Sequence, residues 1–255
     1  MTARRTANGE ADVSQEPTGI MINKRIARDV FLRSLKLERS YRPATLFRNP
    51  GWNFEDYLTL AVSHHLRTRP DFAFLQVGAF DGMSNDPIHP LVQAFGLRGI
   101  IVEPQVPAFE ALQKRYADHP QVIFVNAAVA DANGSRDFYT ADSGSIQQAS
   151  FDRAHLLKHR IPAERIVCQH VRCVTITSLL EEHGIDRLDM VQVDAEGYDA
   201  EIVRTIDFER VTPRIILFEH AHLTNGDCDA CVGMLASHGY RFMTERRDII
   251  EILEN

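Results

Sequence analysis

Two carboxylic acids stand at the end of an apolar run in the stretch Val191–Tyr198, which reads VQVDAEGY. Asp194 and Glu196 are separated by one residue, and Gly197 follows them as a turn former. Strands of open α/β sheets that end in acids are typical of active sites, because ligands bind at the carboxyl ends of such strands. An ionised carboxylate at a buried strand end is also costly unless a partner compensates it. The pair therefore predicts a catalytic site.

A glycine turn, Gly78-Ala-Phe-Asp-Gly82, follows an earlier apolar run and precedes a predicted helix. Its two glycines allow a close backbone approach, and the helix N-terminus offers free N–H groups. The dinucleotide fingerprint has a glycine where this chain has Phe80, and Asp81 is acidic where phosphates would lie. The pattern argues against a nicotinamide cofactor, and the Asp81 carboxylate suits a ligand that carries an amine or a sulfonium group.

The next predicted strand also ends in an acid, Glu103, which lies 25 residues after Gly78. In α/β proteins that bind adenosine ligands, an acid in this place accepts hydrogen bonds from the ribose hydroxyl groups. A solvated charge at a strand end is the simpler interpretation. The succession of strand, glycine turn, helix, strand and acid nevertheless favours a binding role. The glycine turn and the acid together predict a nucleoside ligand without a diphosphate.

The elements that must position these residues alternate between strand and helix from Asp71 onward, which is typical of a parallel sheet. Core strands are predicted at residues 72–77, 99–102, 122–125, 188–193 and 213–218, and a closing antiparallel hairpin at 240–244 and 249–253. The fifth strand runs into Glu219 and His220, with His222 two residues later. Ionisable groups therefore follow both the fourth and the fifth strand.

The alternation pauses between the third and fourth core strands, where about sixty residues are too many for a single crossover helix. This insertion contains a short polar strand at 135–140, a Ser/Gly loop at 143–145, an amphipathic helix near 151–159 and a strand with two cysteines. We expect the segment from Ala141 to Val171 and the loop after His222 to shape the pocket.

Four cysteines occur as Cys168-x4-Cys173 and Cys228-x2-Cys231. The second pair has the spacing of zinc ligands, but the first lies in an alternating run that would point its thiols elsewhere. We interpret all four as reduced cytosolic thiols. Stoichiometric zinc in the purified protein would overturn this interpretation.

The composition bounds the class of protein. A chain of 255 residues with 44% hydrophobic content can bury a full core and is most simply one domain with an N-terminal extension. A formal charge of −7 leaves no excess of positive charge for phosphates, so nucleic acid is not an expected partner. No secretory signal and no apolar run of roughly 20 residues is found. A cytoplasmic protein that does not bind membranes is the expectation.

The chain is predicted to have three parts. Residues 1–21, rich in Thr, Ser, Glu and Gly, form a disordered tail. Residues 22–70 form a helical extension, which serves either as a cap or as the arm of a homodimer. Residues 71–255 form the catalytic domain.

Five motifs in series resemble the FkbM-type S-adenosylmethionine-dependent methyltransferases over about residues 72–245. They are VGAFDG at 77–82 with NDP at 85–87, IVEP at 101–104, NAA at 126–128, VDAEGY at 193–198 and FEH at 218–220. The resemblance implies an α/β, Rossmann-like class I methyltransferase fold. This fold has a seven-stranded, mostly parallel sheet of order 3-2-1-4-5-7-6 with helices on both faces. The implied activity is O-methylation of a hydroxyl on a sugar or another secondary metabolite.

The resemblance also implies cofactor-binding residues, motif by motif. They are Gly78, Asp81, Gly82, Asn85, Glu103, Pro104, Asn126, Ala127 and Asp194. The glycine turn and Asp81 would approach the methionine part, Glu103 the ribose, and Asn126 with Ala127 the adenine edge. Gln76 stands where many class I enzymes have an acid that contacts the cofactor amine, so Asp194 is the candidate to replace that acid.

Methyl transfer requires the acceptor hydroxyl to be oriented toward the methyl group and to lose its proton, and two arrangements would achieve this. In the first, Glu196, His220 or His222 takes the proton directly. Asp194 then anchors the cofactor. In the second, Asp194, Glu219 and His220 hold Mg²⁺, and Glu196 serves as the base. The second resembles macrocin- and novobiocin-type sugar methyltransferases, although His220 is a softer ligand than the acid it replaces.

Two other classes of function stay open. A nicotinamide-dependent oxidoreductase would share the sheet, but this chain lacks the phosphate-binding glycine. A non-catalytic partner subunit would bind S-adenosylmethionine without turning it over. Such a subunit would not need Asp194, Glu196, Glu219 and His220 together.

Overall fold

The structure is a computed structural model that describes residues 57–245 and 247–253. Its strands are β1 Ala73–Val77, β2 Arg98–Val102, β3 Val122–Val125, β4 Ala128–Val129, β5 Gly134–Ala141, β6 Ile166–Val174, β7 Met190–Val193, β8 Ile215–Glu219, β9 Tyr240–Glu245 and β10 Asp248–Leu253. Its α-helices are α1 Tyr57–Leu66, α2 His89–Phe95, α3 Val106–Arg115, α4 Arg153–Lys158, α5 Ile176–Glu182, α6 Asp199–Arg204 and α7 Asn225–Ser237.

Seven strands form one sheet that is parallel except at one edge. Its order is β3-β2-β1-β7-β8-β10-β9, and β10 is antiparallel to both of its neighbours. The predicted seven-stranded, mostly parallel sheet is therefore confirmed. Counted along the whole chain, the order differs in detail from the predicted 3-2-1-4-5-7-6. Three strands of a second sheet, β4 to β6, intervene between the third and fourth strands of the first.

The register of the parallel strands brings their carboxyl ends to one level. Val77 pairs with Val102 of β2 and with Val193 of β7, and Val193 pairs in turn with Phe218 of β8. The next residues along the chain are Gly78, Glu103, Asp194 and Glu219. The four predicted site segments therefore meet at one edge of the sheet.

Helices cover both faces of the sheet, because successive side chains of a buried strand point to opposite sides. On one face, Leu75 and Val77 of β1 belong to a core formed with α5, α6 and α7. On the other, Phe74 belongs to a core formed with α1, α2 and α3. Each face of the central strands is therefore closed to water, which accounts for their continuous apolar sequences.

The insertion forms the second sheet, of order β4-β6-β5. Strands β5 and β6 pair antiparallel along their length, from Gly134 opposite Cys173 to Ala141 opposite Ile166. Between them lies α4, the predicted amphipathic helix, which begins after Asp152, whose side chain accepts from the N–H of Ala154. The insertion thus carries a helix back toward the edge of the main sheet.

The two cysteine pairs lie in different parts of the fold, and none of the four thiols is in a disulfide. Cys173 belongs to the second sheet, whereas Cys228 and Cys231 lie on the buried face of α7, in the core of the main sheet. Burial raises the pKa of Cys228 to about 11 and that of Cys231 to about 12. These two thiols are therefore protonated at neutral pH.

Helix α1 is the described part of the predicted helical extension. Leu58, Ala61 and Val62 of this helix are buried against the core of the main sheet. The predicted tail at 1–21 and the extension as far as residue 56 lie outside the described residues, so the cap and the dimer arm stay predictions. No helix among the described residues is both long enough and apolar enough to cross a bilayer.

Candidate active site

The glycine turn after β1 lies directly against the end of β7. Gly78 has a φ of +79°, and a Cβ at this position would come within 1.8 Å of the carbonyl oxygen of Asp194. The Gly78 N–H donates to the Val102 carbonyl (3.0 Å), and the Asp194 N–H donates to the Val77 carbonyl (2.9 Å). Only glycine fits this position. The glycine turn predicted a close backbone approach, and the structure shows one. The backbone that approaches Gly78 is the end of β7, at Asp194.

The loop after β7 is held by Asp199, which the sequence analysis did not single out. Its carboxylate is fully buried and accepts from the N–H groups of Ala195 (3.2 Å) and Gly197 (3.1 Å). Burial and the nearby Asp194 raise the pKa of Asp199 well above its usual range. The loop holds Glu196 at a φ of +49°, and strain of this kind is common at functional sites. The sequence feature that could have identified Asp199 is its position as a third acid shortly after Asp194 and Glu196.

Glu103 ends β2 and is only 3% exposed. One of its oxygens accepts from the N–H of Phe80 (2.9 Å), and the other accepts from the N–H of Gln105 (2.9 Å). Burial raises the pKa of Glu103 to about 7. A carboxylate has about four acceptor positions, so both oxygens retain capacity for hydroxyl groups of a ligand.

Asp81 and Gly82 belong to the glycine turn after β1. Neither residue lines the cavity that lies at the carboxyl edge of the sheet. Asp81 accepts from the N–H groups of Met83 (3.0 Å) and Ser84 (2.8 Å) and so closes its own loop. A Cβ on Gly82 would come within 2.7 Å of the Leu112 side chain, because this loop packs on α3. In the structure, both residues stabilise the conformation of the loop.

The amide of Asn126 likewise acts on the backbone, since it donates to the carbonyls of Glu103 (2.8 Å) and Pro104 (3.1 Å). It ties the segment after β3 to the end of β2. Pro104, Asn85 and Ala127 line the cavity as predicted cofactor residues would.

Asp86 is a second site residue that the sequence analysis missed. Its carboxylate accepts from the Gln76 amide (2.8 Å), the Ile88 N–H (2.8 Å) and the Tyr116 hydroxyl (2.9 Å). An acid in place of Gln76 would repel this carboxylate, which explains why the chain carries an amide there. The other end of the Gln76 amide, its oxygen, is buried and has no hydrogen-bond partner among the described residues.

A cavity of about 560 Å³ lies at the carboxyl edge of the sheet. Buried amide oxygens of Gln76 and Gln192, both without partners in the described part of the chain, lie in its wall. A cavity of this size that combines apolar side chains with convergent polar groups is typical of a small-molecule site. Its lining includes Gly78, Phe80, Asn85, Asp86, Glu103, Pro104, Ala127, Asp194, Glu196 and Glu219.

Three carboxylates gather at one end of this cavity. Asp194, Glu196 and Glu219 each offer an oxygen, and these oxygens lie within 4.8 Å of one another. Burial raises the pKa of Asp194 to about 6 and, together with the charge of Asp194, that of Glu219 to about 9. Arg247 opposes this accumulation, since its Nη2 donates to Glu219 (2.6 Å).

His220, the third predicted magnesium ligand, does not join these carboxylates. It belongs to neither group of potential metal ligands among the described residues, and its backbone N–H donates to the Arg247 carbonyl (2.8 Å). Glu196 stands in its place beside Asp194 and Glu219. This set of three acids is the one that could hold a hard divalent cation.

Two histidines contact Glu196, and only one of them was predicted. The Nε2 of His155, from α4, lies 3.0 Å from Glu196 Oε2. An ionised carboxylate only accepts, so His155 is the donor in this contact. The Nε2 of His222 lies 3.3 Å from the same oxygen and 2.6 Å from Arg247 Nη2. Burial lowers the pKa of His222 to about 4, which makes this ring neutral at pH 7.

A second cavity, of about 240 Å³, lies on the far side of Glu196. Its wall includes His155, Tyr198 and His222, and Glu196 and Phe151 line both cavities. Glu196 therefore lies at the boundary that the two spaces share. No sequence motif predicted His155 as a site residue, because it reaches the site from the insertion. Its position on a predicted amphipathic helix was the only sequence feature that pointed to it.

Comparison with known structures finds similar chains at low identity. An FkbM methyltransferase from Methylobacillus flagellatus KT aligns at 13% identity and a TM-score of 0.46, over 85% of this chain and 49% of that one. The precorrin-6y C5,15-methyltransferase from Geobacter metallireducens GS-15 aligns at 14% and 0.38, over 76% and 83%. The N-terminal domain of human METTL16, in complex with SAH, aligns at 12% and 0.40, over 77% and 67%. These values are too low to carry an argument about activity.

Family membership is shown by the sequence match. This chain spans about half the length of the Methylobacillus protein, and no curated protein matches it. A family model described as the methyltransferase FkbM domain matches residues 76–242, which is well over half of the chain. The match includes the glycine turn, the strand-end acids Glu103 and Asp194, and the Glu219-His220 pair. The chain belongs to the FkbM family of S-adenosylmethionine-dependent methyltransferases.

Proposed function

We propose that this protein transfers a methyl group from S-adenosylmethionine to a hydroxyl of a small molecule, such as a sugar or another secondary metabolite. The observation that carries the proposal is the place of Glu196 in the wall between the two cavities. A base for methyl transfer must reach the acceptor hydroxyl while the acceptor oxygen faces the methyl group. A carboxylate between a cofactor cavity and an acceptor cavity meets both requirements.

The lining of the larger cavity fits S-adenosylmethionine. Glu103 would hold the ribose hydroxyls, and Ala127 would lie against the adenine edge. The turn at Gly78 and the Asp194 carboxylate would receive the methionine part, and the unpartnered amide oxygen of Gln76 is an acceptor for its ammonium group. The cofactor supplies an electrophilic methyl group on sulfonium. Asp81, Gly82 and Asn126 would support this binding through the loops that they hold.

The chain's own residues prepare the acceptor oxygen. Glu196 takes the proton of the acceptor hydroxyl, and His155 donates to Glu196 and so fixes the direction of its carboxylate. Ser150 Oγ donates to the Glu196 carbonyl (3.2 Å), and Asp199 holds the adjacent N–H groups, so the strained loop cannot relax. A general base positioned in this way contributes about 10²- to 10⁴-fold to a rate.

The assistance of Mg²⁺ is a separate form of the proposal, in which Asp194, Glu196 and Glu219 would be the ligands. The ion pair of Glu219 with Arg247 already uses one of these carboxylates. We therefore favour direct proton removal by Glu196. Methyl transfer that is abolished when Mg²⁺ is removed and restored when it is returned would reverse this choice.

The test is a pair of measurements on the full chain. Calorimetry should show binding of S-adenosylmethionine and no binding of NAD. Labelled S-adenosylmethionine should then transfer its methyl group to a member of a panel of glycosides, polyketides and hydroxy acids. Binding of NAD without binding of S-adenosylmethionine would indicate an oxidoreductase. Binding without transfer to any acceptor would favour a non-catalytic partner subunit.

A further inference from the structure

Four side chains from three segments gather beside the smaller cavity, and three of them, His155, Glu196 and His222, line it. His155 and His159 come from α4 and its C-terminal end, Glu196 from the loop after β7, and His222 from the segment after β8. One ligand atom of each lies within 4.8 Å of one ligand atom of every other. The three imidazole rings form a nearly regular triangle, with centroids 4.6, 4.8 and 4.9 Å apart.

The local sequence builds this triangle. His155 and His159 are four residues apart, so one turn of helix places both rings on the same face. Gly197 packs directly beside two of the rings, since a Cβ there would be in van der Waals contact, at 3.6 Å, with His155 Nδ1 and His222 Cβ. The triangle is therefore a formed feature of the fold.

We propose that His155, His159 and His222 bind one Zn²⁺ ion, with Glu196 beside the fourth coordination position. Three imidazole nitrogens are a ligand set for Zn²⁺ and its neighbours in the first transition row, whereas Mg²⁺ takes oxygen ligands. Zinc sites that act on a substrate use three protein ligands and keep the fourth position open. His155 is buried and His159 is exposed, so the triangle is anchored on one side and accessible to an ion on the other.

The charges around the triangle are compatible with an ion. Rings that were all protonated at these distances would repel one another, whereas neutral rings can share one cation. Arg247 Nη2 contacts both His222 Nε2 and Glu219, and its side chain is 58% exposed, so it has room to turn toward solvent when an ion binds. Lys158 is the other nearby cation, and Glu196 with Glu219 supplies negative charge against both.

The proposed ion has a role in the transfer reaction, and this role rests on the proposed function. A hydroxyl bound at the fourth position would lie beside Glu196, at the boundary of the two cavities. Coordination lowers the pKa of a bound hydroxyl, and Glu196 would then accept the proton. An acceptor with a hydroxyl that reaches into the smaller cavity is the class of substrate that this arrangement selects.

The experiment measures zinc binding by the full chain, independently of methyl transfer. Protein treated with EDTA and dialysed is titrated with Zn²⁺ in competition with a chromophoric chelator. We expect one Zn²⁺ per chain. With Co²⁺ in its place, we expect the intense visible absorption of a four-coordinate site. His159→Gln should weaken zinc binding by more than about 100-fold, the upper end of what loss of a supporting residue costs.

The matched control is His170→Gln, which removes an exposed histidine of β6 that pairs with Asp137. It should bind zinc as the unaltered chain does. Equal binding by His159→Gln and the control, or no stoichiometric zinc in the unaltered chain, would overturn the proposal. Loss of zinc in Asp194→Asn with retention in His159→Gln would assign the ion to the carboxylates instead, and would likewise overturn it.

Glu196→Gln separates the two roles next to the ion. It should retain zinc within about tenfold, because Glu196 is proposed as a base beside the ion and not as an essential ligand. Binding of S-adenosylmethionine is measured on the same preparations. Zinc binding without cofactor binding would refute the proposed function and leave the metal site intact. Cofactor binding without zinc binding would refute the metal site and leave the proposed function intact.

Discussion

The two sides of the site are stabilised in opposite ways. On the cofactor side, Glu103 and Asp86 each accept hydrogen bonds from neighbouring backbone and side-chain donors. On the acceptor side, Glu196 and three histidines crowd together, beside the carboxylates of Asp194 and Glu219 and with Arg247 as a close cation. Concentrated buried charge is unfavourable without a partner. The cofactor side is therefore complete as a scaffold, while the acceptor side is arranged for a proton, an ion or a substrate to complete it.

The largest expected effect tests whether the acceptor side performs the chemistry. Glu196→Gln keeps the shape of the side chain but removes its basicity, so methyl transfer should fall by about 10²- to 10⁴-fold. Binding of S-adenosylmethionine should change little, because Glu103 and the glycine turn are intact. Single-turnover kinetics with calorimetry in parallel measures both. Full activity in the variant would exclude Glu196 as the base.

The next effect tests whether the cofactor side is a rigid scaffold. In Gly78→Ala, the new Cβ would overlap the Asp194 carbonyl, and the free energy of unfolding should fall by about 3 kcal/mol or more. Gly96→Ala is the matched control, since Gly96 also has a positive φ but no atom within 4 Å of a Cβ built there. It should cost about 1 to 2 kcal/mol. Equal losses in denaturant unfolding would contradict the close approach.

A smaller effect tests how the cofactor side recognises ribose. Burial raises the pKa of Glu103 to about 7, and its ionised form accepts best from two hydroxyls. The affinity for S-adenosylmethionine should therefore rise as the pH increases through about 7 and then level off. Glu103→Gln should bind about 10- to 100-fold more weakly at high pH, with a flatter profile. A profile unchanged by the substitution would assign the titration to Asp194 or another group.

The smallest effect concerns Asp81, which the motifs assigned to the cofactor and which closes its own loop in the structure. Asn retains an oxygen that accepts from the Met83 and Ser84 N–H groups, so Asp81→Asn should change the affinity for S-adenosylmethionine by less than about threefold. Calorimetry at neutral pH is sufficient to measure this. A loss of tenfold or more would restore Asp81 as a direct ligand of the cofactor.

The cofactor side could be predicted from the sequence because its determinants are local. Each motif combines a strand with the residue that follows it, and parallel strands in register bring such residues to one edge. Gly78, Glu103, Asp194 and Glu219 therefore meet as the pattern indicated. Asp86 and Asp199 were also present within or directly after the motifs. Their function as acceptors for neighbouring backbone N–H groups became evident only from the conformations of the loops.

The acceptor side could not be predicted in the same way. His155 and His159 lie in an insertion that shares no register with the main sheet, and their distance from Glu196 depends on how the second sheet carries α4 back across the edge. His220, adjacent to Glu219 in sequence, is absent from both groups of potential ligands among the described residues. Proximity in sequence was thus a poor guide wherever the chain leaves the strands.

The sequence by itself determined the family, the mostly parallel sheet and the acids at its carboxyl edge, because apolar strand runs and the motifs at their ends are properties of short segments. The tertiary structure alone decided which ionisable groups share a cavity. It placed Glu196 at the boundary of two spaces, brought Glu196 instead of His220 to Asp194 and Glu219, and set nitrogen atoms of three histidines within 4.8 Å of one another. Such contacts depend on the packing of segments far apart in the chain, which short patterns do not encode.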